Sequence, residues 1–113
     1  MPDPQQAIAG TFVEPRGLVE GGERSPIERG QIAYVAVFDE DVAVLRVRRG
    51  ALKPKPTGEV MASARRADVS AAEMTTGRLA GMLEVTFTDG RTWAFDIPRV
   101  HLQGAERVVD ALA

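Results

Sequence analysis

Three stretches of this 113-residue chain concentrate side chains able to do chemistry. The first is Asp39-Glu40-Asp41, three consecutive carboxylates. Neighbouring acids can exchange a proton with a substrate or hold a hard cation. A calcium site, however, needs about 6–8 oxygens arranged around the ion, and the spaced ligands and central glycine of an EF-hand loop are missing. Adjacent residues of a tight turn mostly point apart, so the triplet reads as a solvated turn that also blunts association.

The second is His101, the sole histidine. A site with two histidine ligands is therefore excluded, and any catalytic triad must use this residue. The hydroxyls open to it include Ser25, Ser63 and Ser70, none of them in a Gly-x-Ser-x-Gly elbow. Lying between Pro98 and a helical stretch, the ring is placed to pack or to help satisfy a helix start. Cysteine is absent, which removes thiolate nucleophiles, disulfides and zinc-cysteine sites. The sequence assigns no catalytic residue, no metal ligand and no cofactor.

The third is a run of cations: Arg46, Arg48, Arg49, Lys53, Lys55, Arg65 and Arg66. Seven of the fourteen cations fall within 21 residues, opposed only by Glu59. Such a patch suits an acidic peptide, a nucleic acid or an anionic lipid. Background composition discounts it in part. The chain has 16 Ala and 12 Arg against 2 Lys and no Asn, the mark of a GC-rich genome in which arginine is the routine cation.

The elements that must position these groups are mostly strands. "IAYVAVF" and "VAVLRVRR", joined by a short acidic link, read as an antiparallel hairpin. In the second run Ala43, Leu45 and Val47 share one face while Val44, Arg46 and Arg48 share the other, as in a half-buried strand. "GALKPKPTG" reads as a break, since Pro54 and Pro56 cannot donate to a ladder. "EVMASA" and "DVSAAEMT" are two weaker strands.

"VTFTDGRTWAFDIPR", residues 85–99, is the best patterned stretch. A two-residue Asp-Gly loop would mix apolar and polar residues on both faces. A three-residue loop, Thr88-Asp89-Gly90, sets Val85 opposite Trp93 and Leu83 opposite Phe95, so every large residue shares one face. Gly90 then supplies the left-handed position of a bulged turn. These aromatics are consumed by a core, which weakens a nucleic-acid reading, because single-strand binders interleave cations with exposed rings. In "GAERVVDALA" residues Ala105, Val108, Val109 and Leu112 form one apolar stripe of a short helix that must dock on the sheet.

Composition bounds the rest. At 44% hydrophobic and 27% charged, the chain suits one globular domain, and a net charge of −2 calls for no polyanion partner. Residues 1–30 hold four of the seven prolines and five of the eleven glycines, and read as a flexible arm or loop with room for one short strand within Ala7–Val13. No signal peptide and no apolar run of membrane-spanning length is seen, so the expected location is cytoplasmic.

Taken in order, "YVAVFDEDVAVLRV", "EVMASARRADVSAAEM", "VTFTDGRTWAFDIPR" and "AERVVDAL" resemble a bacterial pleckstrin-homology-like (PH-like) domain of the short actinobacterial type, over about residues 31–113. The resemblance implies a mainly β fold: a PH-like antiparallel barrel, or two orthogonal sheets, with a C-terminal capping α-helix. It implies seven strands, of which six are visible from Ile32 onward. The seventh must come from Ala7–Glu14 or from Ala51–Lys55. Members of this fold mostly bind peptides, proteins or lipid headgroups, are rarely enzymes, and in bacteria sometimes self-associate. Phosphoinositide-binding relatives carry cations in the first hairpin loop, where this chain has Asp39-Glu40-Asp41, so that ligand is disfavoured.

The expectation is a non-enzymatic interaction module. It binds a peptide or protein partner, or a copy of itself in a homo-oligomer, through a strand edge or the basic face formed by the seven cations. The alternative is electrostatic binding of anionic lipid or nucleic acid through the cluster at 46–66.

Overall fold

The computed structural model describes residues 3–15, 32–49, 53–77 and 80–113. Seven strands, β1 (Ala9–Pro15), β2 (Ala33–Val37), β3 (Asp41–Arg49), β4 (Pro54–Arg65), β5 (Val69–Thr76), β6 (Ala80–Phe87) and β7 (Thr92–Pro98), precede one helix, α1 (Leu102–Leu112). Single 3-10 turns sit at Pro4–Gln6, Arg66–Asp68 and Arg99–His101. The fold is mainly β and antiparallel with a C-terminal helix, as expected, and its architecture is consistent with a PH-like domain.

Parity governs the β6–β7 hairpin. Val85 lies opposite Trp93 and Leu83 opposite Phe95, the register that a three-residue loop demands. Gly90 takes a φ of 91°, and no other described residue has positive φ. The Phe87 amide donates to the Arg91 carbonyl at 2.8 Å, and the Gly90 amide to the Phe87 carbonyl at 2.9 Å. A side chain at position 90 would meet the left-handed penalty that glycine avoids.

The strands are ordered β4-β3-β2-β1-β7-β6-β5, with every neighbouring pair antiparallel. β1 belongs to both halves of this series. Its residues 9–13 pair with β2, then Glu14 and Pro15 pair with Asp96 and Phe95 of β7. The missing seventh strand is thus Ala9–Pro15, and these residues are part of the β domain rather than of an arm. The remaining arm, residues 16–31, lies outside the described residues.

Between the two halves is one apolar interior. β1 to β3 contribute Val13, Val35, Val37, Val42 and Val44. β6 and β7 supply Leu83, Val85, Phe87, Trp93, Phe95 and Ile97. Phe87 and Trp93 meet edge-on with centroids 4.7 Å apart, a favourable aromatic geometry. α1 closes this interior with Ala105, Val108 and Leu112, while Val109 is only half-buried. A helix of 11 residues is marginal alone, so its docking face stabilises it. Gly104 allows close approach to β1, because a Cβ there would stand 3.1 Å from the Gly10 carbonyl oxygen.

Two expectations are corrected. The Pro54–Pro56 segment is not a break but the start of β4, with Lys55 opposite Arg48 and Pro56 opposite Val47. β4 is the sheet edge, where a residue without an amide proton is tolerated, and register shifts between Val44 and Val47 adjust the ladder. β3 is not half-buried along its length. From Val42 to Leu45 both faces are covered, because Ala43 and Leu45 join Ala36 in a second, outer cluster flanked by Ala7, Tyr34 and Phe38.

Two substitutions test this interior by denaturant unfolding. Phe95→Ala should destabilise by about 3–5 kcal/mol, the range for emptying a buried aromatic site. Gly90→Ala should cost about 1 kcal/mol through backbone strain alone, with no change in the buried surface.

Candidate binding surfaces

The seven cations lie along or just beyond one hairpin, β3–β4, but do not form a single patch. Arg48 and Lys55 are directly opposed in the ladder, and both are exposed. Arg46 sits nearby and pairs with Glu59 at 2.9 Å. Both side chains are at least half exposed, so the pair contributes only about 0.2–1 kcal/mol. Lys53 is exposed beside them. Arg49 belongs to β3, and its side chain lies outside the described residues. Arg65 and Arg66 stand at the far end of β4; Arg65 and Lys55 face Asp41 and Arg48, seven residues apart on β3, which sets them about 23 Å apart at about 3.3 Å per strand residue. The basic run therefore divides into a corner at Arg46, Arg48, Lys53 and Lys55, and a distant pair.

Arg66 has structural work. Its Nε donates to the Ala111 carbonyl at 3.0 Å, and Nη2 donates to the same oxygen. Nη1 reaches the Asp39 carbonyl at 3.3 Å, and the Arg66 amide donates to the Glu40 carbonyl at 2.8 Å. One guanidinium thus holds a terminal carbonyl of α1, where a cation is favoured, and the turn between β2 and β3. The sequence showed a charge here but not its partner, which lies 45 positions away.

The acidic turn closes with the Phe38 amide on the Asp41 carbonyl at 2.7 Å. Asp39, Glu40 and Asp41 are exposed, and among the described residues no cluster of three acidic or histidine side chains is placed to hold a metal. His101 is half-buried, its ring 5.1 Å from Phe12. The Thr11 hydroxyl donates to the His101 carbonyl at 3.3 Å, so the contact uses the backbone and leaves the imidazole uninvolved. Trp93 and Phe95 are buried in the interior.

Sequence reasoning missed two features on the outer face of β1–β4. Phe12, Tyr34 and His101 form an aromatic row, Phe12 and Tyr34 meeting edge-on at 5.0 Å. Tyr34 crosses over Gly10, where an added Cβ would fall 2.2 Å from the phenol oxygen. Burial pushes the Tyr34 phenol above its ordinary value of 10.0. Alongside lies an open groove of about 520 Å³ lined by Asp3, Gln6, Phe38, Asp41, Ala43, Val60 and Ser63.

Among the described residues no strand lies beyond either end of the series, although α1 packs close against β5. β4 carries two prolines, which blunt pairing along its first half. β5 has eight residues and no proline. The Gly77 amide bonds the Ala80 carbonyl at 2.8 Å, which sets the phase of the β5–β6 ladder. Alternation then turns the backbone groups of Ala72, Met74 and Thr76 away from β6, toward the free side.

Arg66→Met should destabilise by about 1–2 kcal/mol in chemical denaturation, and Arg66→Lys should recover only part, since a point charge cannot bridge both carbonyls. The chain has a single tyrosine, so phenolate absorbance reports Tyr34 alone. Its ionisation midpoint should lie above 10.0, and stability should be full below that pH and fall as pH rises through the folded-state value.

Among the described residues no helix is long and apolar enough to cross a membrane. No protein-family model matches the chain, and neither a curated protein nor a solved structure matches it.

Proposed function

We propose that this chain is a non-enzymatic interaction module of PH-like type that captures an extended segment of a peptide or protein partner, or of a second copy of itself, by adding it as a strand to β5. The observation that carries this reading is the unpartnered, proline-free edge of β5. An added strand would take its main-chain hydrogen bonds from Ala72, Met74 and Thr76, with selectivity supplied by the side chains beside them. Ser70, Ala71, Glu73 and Thr75 are exposed along this strand, so one carboxylate stands among small neutral residues.

The alternative, electrostatic capture of anionic lipid or nucleic acid, draws narrower support. Arg46 is already paired with Glu59, and Arg66 is spent on α1. What favours it is the opposition of Arg48 and Lys55, since like charges facing across a ladder repel and an anion between them would relieve that.

Random peptides displayed on phage provide the test. Selected binders should perturb the amide resonances of Ala72, Met74 and Thr76 and slow their hydrogen exchange. Thr76→Pro, which deletes one outward amide at an exposed position, should weaken binding about fivefold without lowering the melting temperature. Binders that shift only the Arg48–Lys55 corner would favour the alternative, and the affinity would then fall steeply with salt.

A further inference from the structure

We infer that the groove between the Pro4–Gln6 turn and β4 is a separate docking site for an extended peptide segment carrying a lysine or arginine. The groove lies on the outer face of the β1–β4 half, whereas β5 closes the opposite end of the strand order. It does not depend on the β5 edge.

The floor is apolar and firmly built. Ala43 is 3% exposed, and Phe38 packs against the outer cluster of Ala36, Ala43 and Leu45. Val60 completes it and leaves 42% of its surface in solvent, a large aliphatic side chain on an edge strand with nothing to cover it. At about 520 Å³ the hollow is of the size that holds a ligand group together with its neighbours.

Carboxylates stand at its rim. Asp3 is held in place because its Oδ1 accepts the Gln5 amide at 2.9 Å. Asp41 is exposed at the start of β3. Among the described residues neither has a cationic partner: the two ion pairs are Arg46–Glu59 and Arg91–Asp89. Arg65, directly across the ladder from Asp41, makes no ion pair with it. The hollow therefore offers an apolar bed and two carboxylates that form no ion pair among the described residues, which complements the long aliphatic stem and cationic head of lysine or arginine.

The neighbouring backbone argues for a peptide over a free amine. Val60 and Ser63 line the groove from β4, and β4 is the end strand of its sheet. Both prolines lie at its other end, and past the bulge at Met61 the residues from Ala62 to Arg65 keep a regular register with β3, so this stretch can accept an added strand. A segment running there would alternate its side chains, setting one into the hollow at every second residue.

Fluorescence anisotropy with a labelled, end-capped peptide of alternating valine and arginine tests this. Binding should be saturable at low ionic strength and weaken with salt, and the same peptide with glutamate for arginine should not bind. The double substitution Asp3→Asn with Asp41→Asn keeps the side-chain shapes and the capping oxygen, and should weaken binding about tenfold with an unchanged melting temperature. Val60→Arg, which places a cation in the groove from an exposed position, should do the same. Thr76→Pro on β5 should leave this binding unaltered. No binding at low salt, or full affinity in the Asp3/Asp41 double variant, would overturn the site. Agmatine binding as tightly as the peptide would overturn the assignment to an extended segment, and loss of binding in the Thr76→Pro variant would transfer the site to β5.

Discussion

Everything in this fold rests on giving the large side chains of β6 and β7 a common dry face. Phe87, Trp93 and Phe95 are the bulkiest contributors to the interior, and they come from one hairpin. A pleated strand alternates faces with a period of two, so a slip of one residue would turn that whole set into solvent. The bulged turn at Gly90 prevents the slip by adding one residue to the loop. The valines of β1, β2 and β3 then answer these rings from the other half, and α1 shuts the remaining opening. With the aromatics of this hairpin committed inward, the molecule keeps its recognition capacity for backbone edges and outer surfaces.

Those surfaces are not equivalent. Along the β3–β4 hairpin Arg46, Arg48, Lys53 and Lys55 gather at one end, while at the other Arg65 faces Asp41 of the acidic turn and Arg66 is withdrawn from the display by the carbonyls it serves. The outer face of β1–β4 is unusual for the outside of a small β domain, because Ala36, Ala43 and Leu45 are fully or almost fully buried there. A second apolar layer under Tyr34 and Phe38 gives that side a rigid floor, where a single-core domain would have polar residues facing water.

How far this was legible in the sequence depended on the range of the interaction. The β6–β7 register could be read because parity and turn length are local and only one choice segregates apolar from polar. The stripe on α1 was legible for the same reason, with Val109 less deeply buried than its spacing suggests. The start of β4 was misread because the rule against proline in strands concerns interior strands, and nothing local tells that Pro54 lies at an edge. The basic cluster was overread because neighbours along a hairpin drift apart by about 3.3 Å per residue, so proximity in the list of residues did not become proximity in space. Arg66 and the groove were beyond reach, as both need partners brought together from Asp3 to Ala111 by the completed fold.

The two-pair junction of β1 with β7 carries a kinetic consequence. Glu14 and Pro15 meet Asp96 and Phe95 from about eighty positions away, so forming that seam means closing a very long loop for few hydrogen bonds. The two meanders on either side are assembled from contacts between consecutive strands and have no such debt. Chain assembly should therefore run as two quick local events followed by a slow search in which β1 joins them, and the rate of that search sets how long the aromatic hairpin stays unsheltered in a nascent molecule.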